Sequence, residues 1–581
     1  MLAMISPYRF MFIGLLCFAS VAGAHDGYSE VKRESLYVPV RDGTRLAMNI
    51  YRPATPAGVE TRRLPVIFAF TPYRARFTDP QGRVQETGLG DAVALRSLIR
   101  AGYVVAVADI RGKGASFGSR RGFQDRTEAF DGHDLVEWLA KQPFSTGKVG
   151  MIGCSYLGGT AMHTASTAPP SLRAIFVGAT DWDKYGFVRQ GGITAQFNTR
   201  QDEPLSDDLA SLPVDIDEDR ELLRAAVAQH AQNTPMAPLW YGMPYRDSTS
   251  EFTGNAFWDE VAIWKYAEVI RKAGIATYLW SNWKDEPTSQ VIVAAENLES
   301  RLLIGPGSHC QAPADFDFVG EITRYFDHHL KGAANSEPDA PRVTWWRDLG
   351  GGLGEYVRSG DIPGAASASL SYYLGGSRTD GLTLAPSPGA DTDVRFVVDY
   401  SVANDESFAF WPPPMDLFGP AYQTAPVANA FDIAGYPVAH LTVRLDRPDT
   451  NVFVYLEEVL ANGTVDVLSF GRLMVSHRAV AEAPWSNLGL PWHSGRREDA
   501  APLKAGETAQ MAIPMQPLSR RIAVGSRLRF VVTGADPRQR NLADIQESPA
   551  PEITILHGWL AGSRIDLPVT LQGLPPQKLQ N

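Results

Sequence analysis

A serine, an aspartate and a histidine, in that chain order, are the residues with which this sequence could cut an acyl bond. Ser155 stands in "KVGMIGCSYLGGTAMHTAS" (148–166), where an apolar run tightens into glycines and continues as a helix-compatible stretch. A serine hydroxyl is a poor nucleophile until a base takes its proton, and that base needs a third group to hold its tautomer. Gly153, Cys154, Ser155, Tyr156 and Leu157 nearly spell G-x-S-x-G, but the closing glycine comes one place late, as Gly158. The bend reads either as a nucleophile on a tight strand-to-helix turn or as a plain glycine-rich loop. Asp285 follows the strand-like "ATYLWSNW", and His309 follows "RLLIGPGS". Each lies just past the C-terminal end of its strand, where open α/β sheets place their ligands. Glu286, next to Asp285, is the competing acid. Rival histidines fit less well. His133 and His163 fall on helical patterns, His328 and His329 share another, and His440, His477, His493 and His557 belong to β-patterned sequence.

The elements that must position these residues are legible as alternating patterns. "SLYVPVRDGTRLAMNIYRP" (35–53) alternates around Asp42-Gly43 and reads as a hairpin. "LPVIFAFTPY" (64–73) and "GYVVAVADIRG" (102–112) are continuous apolar runs, as in parallel strands buried on both faces. Helix-spaced segments separate them, "TEAFDGHDLVEWLAKQP" leads into the strand "KVGMIG", and "LRAIFVGATD" is a further strand. Strand and helix in alternation imply an α/β domain with a largely parallel sheet, over residues 25–184 and 272–334. Residues 185–271 break the rhythm with helical and aromatic segments, the natural place for a cap. From 335 to 581 short alternating runs divided by Gly, Pro, Asn and Asp imply an all-β sandwich, with Asn462-Gly463 as a hairpin turn and a jelly roll as its expected form.

At 581 residues the chain needs two or three domains. A net charge of −11 without a basic block makes nucleic acid and anionic membranes poor partners. Arg9, an apolar run from Phe10 to Val21 and the small residues Ala22-Gly23-Ala24 have the layout of a secretory signal, residues 1–24, too short to favour a membrane span. Export to the periplasm or medium, with cleavage after Ala24 and no membrane association afterwards, is the expectation. Of three cysteines Cys17 leaves with the signal. Cys154 and Cys310 flank Ser155 and His309 and so come close in space. Two buried free thiols are the expected state, a disulfide the alternative. No spacing suggests zinc, and Gly112, Gly114 and Gly118 lack the acidic partner of a dinucleotide site. No metal or cofactor is expected.

"DIRGKGASFG" (109–118) and "DLVEWLAKQPFSTGKVGMIGCSYLGGT" (134–160) resemble the CocE/NonD hydrolases. That group includes cocaine esterase, glutaryl-cephalosporin acylases, α-amino acid ester hydrolases and X-Pro dipeptidyl-peptidases. Its nucleophile motif, G-x-S-Y-x-G, is matched by Gly153, Ser155, Tyr156 and Gly158, so the late glycine follows the family's pattern. The W-x-D element matches Trp283 and Asp285, and G-P-x-x-H matches Gly305, Pro306 and His309. The resemblance implies an α/β-hydrolase core with a helical cap and a jelly-roll domain, with Asp285 as the acid. It also implies an oxyanion hole from the Tyr156 N–H and the Tyr73 hydroxyl.

Implied as well is a small-molecule ester or amide as substrate, with an N-acyl amidase or X-Pro aminopeptidase as the neighbouring reading. A non-catalytic binding protein built on the β domain is the reading from another class. Asp181, in "TDWDKYGFVRQGG" (180–192), matches one carboxylate of an ammonium-binding cluster, but Pro287 and Thr288 stand where the other two would be. A structural carboxylate is therefore expected there, with Asp183 or Glu286 as substitutes for the missing acids. Trp240, Tyr241 and Trp258 either line an apolar substrate pocket or simply pack the cap. Oligomeric state is not legible.

Overall fold

The continuous apolar runs become the buried strands of one twisted sheet. A computed structural model describes residues 28–570 except 88–94, 195–201, 365–367, 376–380, 386–392, 405–408, 505, 540, 542–544 and 558–561. The signal-like segment 1–24 lies outside the described residues. The hairpin Glu30–Pro39 and Arg45–Thr55 turns through a three-residue loop ending at Gly43, whose φ of 84° is the left-handed position such a loop requires. It lies antiparallel to Val104–Asp109. Parallel pairing then runs through Leu64–Thr71, Ser145–Cys154, Leu172–Gly178, Ala276–Lys284, Arg301–Ser308 and Val343–Gly350.

Strand periodicity sends successive side chains to opposite faces, and the two faces carry separate cores. Val66, Phe68 and Phe70 meet the helices Arg126–Ala140, Tyr156–Ala165 and Thr288–Leu298. Ile67 and Ala69 pack instead toward Leu95–Arg100 and Phe318–Phe326. Such two-sided burial explains why these strands read as unbroken apolar runs.

Between Leu172–Gly178 and Ala276–Lys284 the chain forms short helices, among them Glu221–His230, Met236–Tyr241 and Phe257–Glu260. They close over a small aromatic core of Trp240, Trp258, Phe257, Met243 and Leu239.

The C-terminal part is β-rich. Four strands, Ala421–Gln423, Arg527–Thr533, Asn451–Val459 and Val465–Met474, form one sheet. Gly463, φ 85°, turns the hairpin at Asn462-Gly463. Strands including Phe431–Gly435, Val438–Leu445 and Thr508–Pro514 form the facing layer, and both contribute to one core. The β-rich part does not begin with the first β-patterned run after residue 335. Val343–Gly350 pairs in parallel with Arg301–Ser308, and Leu353–Ser359 adds antiparallel to it. An edge hairpin on an α/β sheet alternates like a sandwich strand, so sequence pattern cannot tell the two apart. Asp348 then lies in register with Arg520, which carries the sheet on into the β-rich part.

Candidate active site

Ser155 sits where the strand Ser145–Cys154 gives way to the helix Tyr156–Ala165. Its φ of 59° and ψ of −126° are unusual for a residue with a side chain and mark a tightly held turn. Two glycines permit the helix to start there. A Cβ at Gly158 would come within 2.6 Å of the Gly178 carbonyl oxygen, and one at Gly159 within 2.0 Å of the Gln124 side-chain nitrogen. The closing glycine of the motif is thus demanded by contact with the neighbouring strand.

His309 and Asp285, 24 residues apart in sequence, meet at the ends of adjacent parallel strands. His309 Nδ1 lies 2.9 Å from Asp285 Oδ1 and 3.1 Å from Oδ2. Asp285 is fully buried and His309 one-fifth exposed. Burial pushes the Asp285 carboxyl above its ordinary range, and the His309 hydrogen bond pulls it back. With Nδ1 donating to this carboxylate, Nε2 is the free face of the base. His309 and Ser155 line the same cavity of about 490 Å³. Glu286 points elsewhere: it takes hydrogen bonds from Arg472 Nη2 (2.6 Å) and Arg538 Nη1 (3.1 Å) of the β-rich part.

Tyr73 and Tyr156 also line the cavity, their rings edge to face at 6.3 Å. Tyr156 opens the helix, so its N–H belongs to the orphan donors of a helix N-terminus. Its hydroxyl donates to Glu128 Oε2 at 2.8 Å, and its carbonyl accepts from Gln124 Nε2 at 2.9 Å. Glu128 is buried, and that burial pushes its carboxyl up to about 8. Tyr73 is set by the turn after Leu64–Thr71. Asp109, buried and pushed up to about 7, accepts from Ala75 N (2.5 Å) and Ala115 N (2.9 Å). Gly114 wraps that carboxylate so closely that a Cβ would touch it at 2.4 Å. The glycine-rich loop after the Val104–Asp109 strand therefore holds an aspartate.

Two sequence readings need correction. Cys154 and Cys310 are joined in a disulfide, S–S 2.07 Å and Cα–Cα 5.8 Å, and are not free thiols. Cys154 ends Ser145–Cys154 and Cys310 follows Arg301–Ser308, with two strands between them in the sheet, so the loop at His309 reaches back across the strand ends, a proximity that sequence distance alone does not reveal. Trp258 does not reach the cavity. It stacks behind Trp240 at 5.1 Å and donates to the Met243 carbonyl, while Trp240 itself is lining. Asp181 lines the cavity with Lys184 Nζ at 2.6 Å, in keeping with the structural carboxylate expected there. His163 is buried with neither ring nitrogen hydrogen-bonded among the described residues.

Four cavity-shaping residues carried no motif. Gln124, Glu128 and Lys184 support or line the site from helix ends, and only the Asp181/Lys184 spacing of three hinted at a pair. Phe410 arrives from the β-rich part and stacks on His309.

Residues 42–311 match the family model described as X-Pro dipeptidyl-peptidase (S15 family), and residues 335–542 match the X-Pro dipeptidyl-peptidase C-terminal non-catalytic domain. A Mycobacterium bovis protein provisionally named a serine esterase is 27% identical, over 94% of this chain and 96% of its own. Cocaine esterase of a Rhodococcus species is 25% identical, over 86% and 90% of the two chains. Among solved structures, a CocE/NonD family hydrolase from Staphylococcus aureus superposes with a TM-score of 0.72 at 18% identity, over 93% of this chain and 94% of that one. An α-amino acid ester hydrolase does so with 0.67 at 19%, over 95% and 99%.

Proposed function

Given that the chain is a serine hydrolase of the CocE/NonD (S15) group, we propose that it cleaves carboxylic esters of small molecules through Ser155, His309 and Asp285. The observation that carries this reading is the His309 Nδ1–Asp285 pair beside the cavity that Ser155 lines. Ser155 Oγ attacks the ester carbonyl carbon while His309 Nε2 takes its proton, and Asp285 stabilises the resulting imidazolium. Negative charge on the former carbonyl oxygen is met by the Tyr156 N–H, backed by the helix N-terminus, and by the Tyr73 hydroxyl. Collapse breaks the C–O bond, His309 returns its proton to the leaving alkoxide, and Ser155 keeps the acyl group. Water then attacks the acyl-enzyme with His309 as base, releasing the acid.

Export belongs to the same reading. The signal-like N-terminus and the Cys154–Cys310 disulfide both suit an oxidising compartment. A fluorophosphonate probe tests the nucleophile: labelling of the wild-type protein that disappears in Ser155→Ala is expected. Labelling undiminished in that variant would refute the assignment. A panel of p-nitrophenyl acyl esters measures the activity itself.

A further inference from the structure

The cavity at Ser155 is lined by four carboxylates, and each already has a basic partner. Asp181 is met by Lys184 Nζ at 2.6 Å, and Glu203 by Lys113 Nζ at 3.0 Å. Asp208 is met by His230 Nδ1 at 2.9 Å, and Asp202 by Arg120 at 3.5 Å. The two acids that could substitute in an ammonium-binding cluster are also engaged. Asp183 takes both Arg246 nitrogens, at 2.6 and 2.7 Å, and Glu286 is held by Arg472 and Arg538. Every carboxylate lining the cavity thus has a basic side chain beside it among the described residues.

Lys184 is the pivotal group. Its side chain is 2% exposed, in a site walled by Phe123, Tyr156, Phe187 and Trp240. Its ammonium donates to Gln124 Oε1 (2.5 Å) and Asp181 Oδ1 (2.6 Å). That uses two of three N–H bonds. Asp181 Oδ2 is buried and has no hydrogen-bond partner among the described residues. One donor of a cation and one acceptor of its counter-ion are therefore left over at the cavity wall, beside Phe123, Tyr156, Phe187 and Trp240. A hydroxyl, which both accepts and donates, satisfies the two together. A substrate ammonium can only donate, and it meets the like charge of Lys184 in a poorly solvated place.

Building on the ester-hydrolase reading, we infer that Lys184 sets the acyl specificity: the pocket takes neutral acyl groups, bare or hydroxylated, and rejects those bearing an α-ammonium. Lys184 occupies the place where such an ammonium would neutralise Asp181.

Three near-isosteric methyl esters decide this: phenylacetate, mandelate and phenylglycinate, the last at a pH where its amine is protonated. For the wild-type protein kcat/KM on phenylglycinate is expected to be at least about tenfold below that on phenylacetate, with mandelate no worse than phenylacetate. Lys184→Met frees the Asp181 charge and is expected to shrink the ammonium penalty about tenfold or to invert it. Lys184→Gln, which keeps a polar contact to Gln124, does the same if the methionine variant folds poorly. The corresponding amides, titrated calorimetrically into Ser155→Ala, give the same ordering as Kd ratios without any turnover. Equal use of all three acyl groups by the wild-type protein, or ratios unchanged in both Lys184 variants, would overturn the inference. Ligand discrimination by Ser155→Ala without ester turnover in the wild type would instead refute the hydrolase reading and leave the inference standing.

Discussion

The ring of Phe410 lies flat on the imidazole of His309, with centroids 3.8 Å apart and planes 15° from parallel. The proposed base comes from the α/β core, and the ring that covers it comes from the β-rich part. The stack limits how far His309 can turn and keeps water from one of its faces. An aromatic contact of this kind contributes about 1 kcal/mol. Phe410→Ala is therefore expected to lower kcat/KM about fivefold, with Phe410→Leu between the two. Steady-state kinetics on a small ester would read it, and an unchanged value would assign the ring to packing alone.

The Cys154–Cys310 disulfide ties the residue before the nucleophile to the residue after the base, across 156 positions of sequence. Closing so long a loop restricts the unfolded chain, and removal of such a bridge typically costs about 2–5 kcal/mol. Reduction should add the mass of two hydrogens and lower the melting temperature. It should also lower kcat, because the tethered neighbours are the proposed nucleophile and base. Cys154→Ser with Cys310→Ser should reproduce all but the mass change. Melting curves with and without reductant check the first effect, and ester kinetics the second.

Glu128 gives a pH dependence. Burial holds its carboxyl protonated in the folded protein up to about pH 8, against an ordinary value of 4.5. Between those values the folded state binds more protons than the unfolded one, so stability falls as pH rises through the window. Glu128→Gln keeps an acceptor for the Tyr156 hydroxyl and removes the titration. It should raise the melting temperature more at pH 8 than at pH 5, and flatten the profile between them.

Arg472 and Arg538 clamp Glu286, the residue next to the triad acid, and all three are buried. Removing one partner of a buried pair costs about 3–5 kcal/mol because it strands a charge. Arg472→Met is expected to destabilise the protein by that order and to lower kcat, since the less compensated Glu286 charge then repels the Asp285 carboxylate. Adding Glu286→Gln should recover part of both losses. A double-mutant cycle read by chemical denaturation and ester kinetics tests the coupling.

The triad was legible because its constraints are local and ordered. A turn crowded by Gly153 and Gly158, then Asp285 and His309 at consecutive strand ends, leave few other arrangements in an open parallel sheet. The distinction between Asp285 and Glu286 was weaker, and it needed the W-x-D match; the structure separates them by what each touches. Across-sheet relationships were not legible. The 5.8 Å between Cys154 and Cys310 depends on two strand ends that sequence places 156 residues apart. Val343–Gly350 alternates as an edge strand of either part would, so its pairing with the α/β sheet was not legible. Phe410 is a hundred residues past His309, in a loop whose composition says nothing of its destination.

The in-register pairing of Asp348 with Arg520 has a consequence for motion. Hinged enzymes open by bending at a few loop residues between rigid bodies. Here the sheet runs across the junction, and it is cross-braced by Arg520 with Asp348 and Glu458, by Lys284 with Asp466, and by Glu286 with Arg472. Parting the two halves would break a ladder and strand buried charges. The opposite side of the cavity is walled by the helical insertion, through Leu205 and Met236. The β-rich part, which contributes Phe410, is thereby a braced wall of the cavity rather than a separate module.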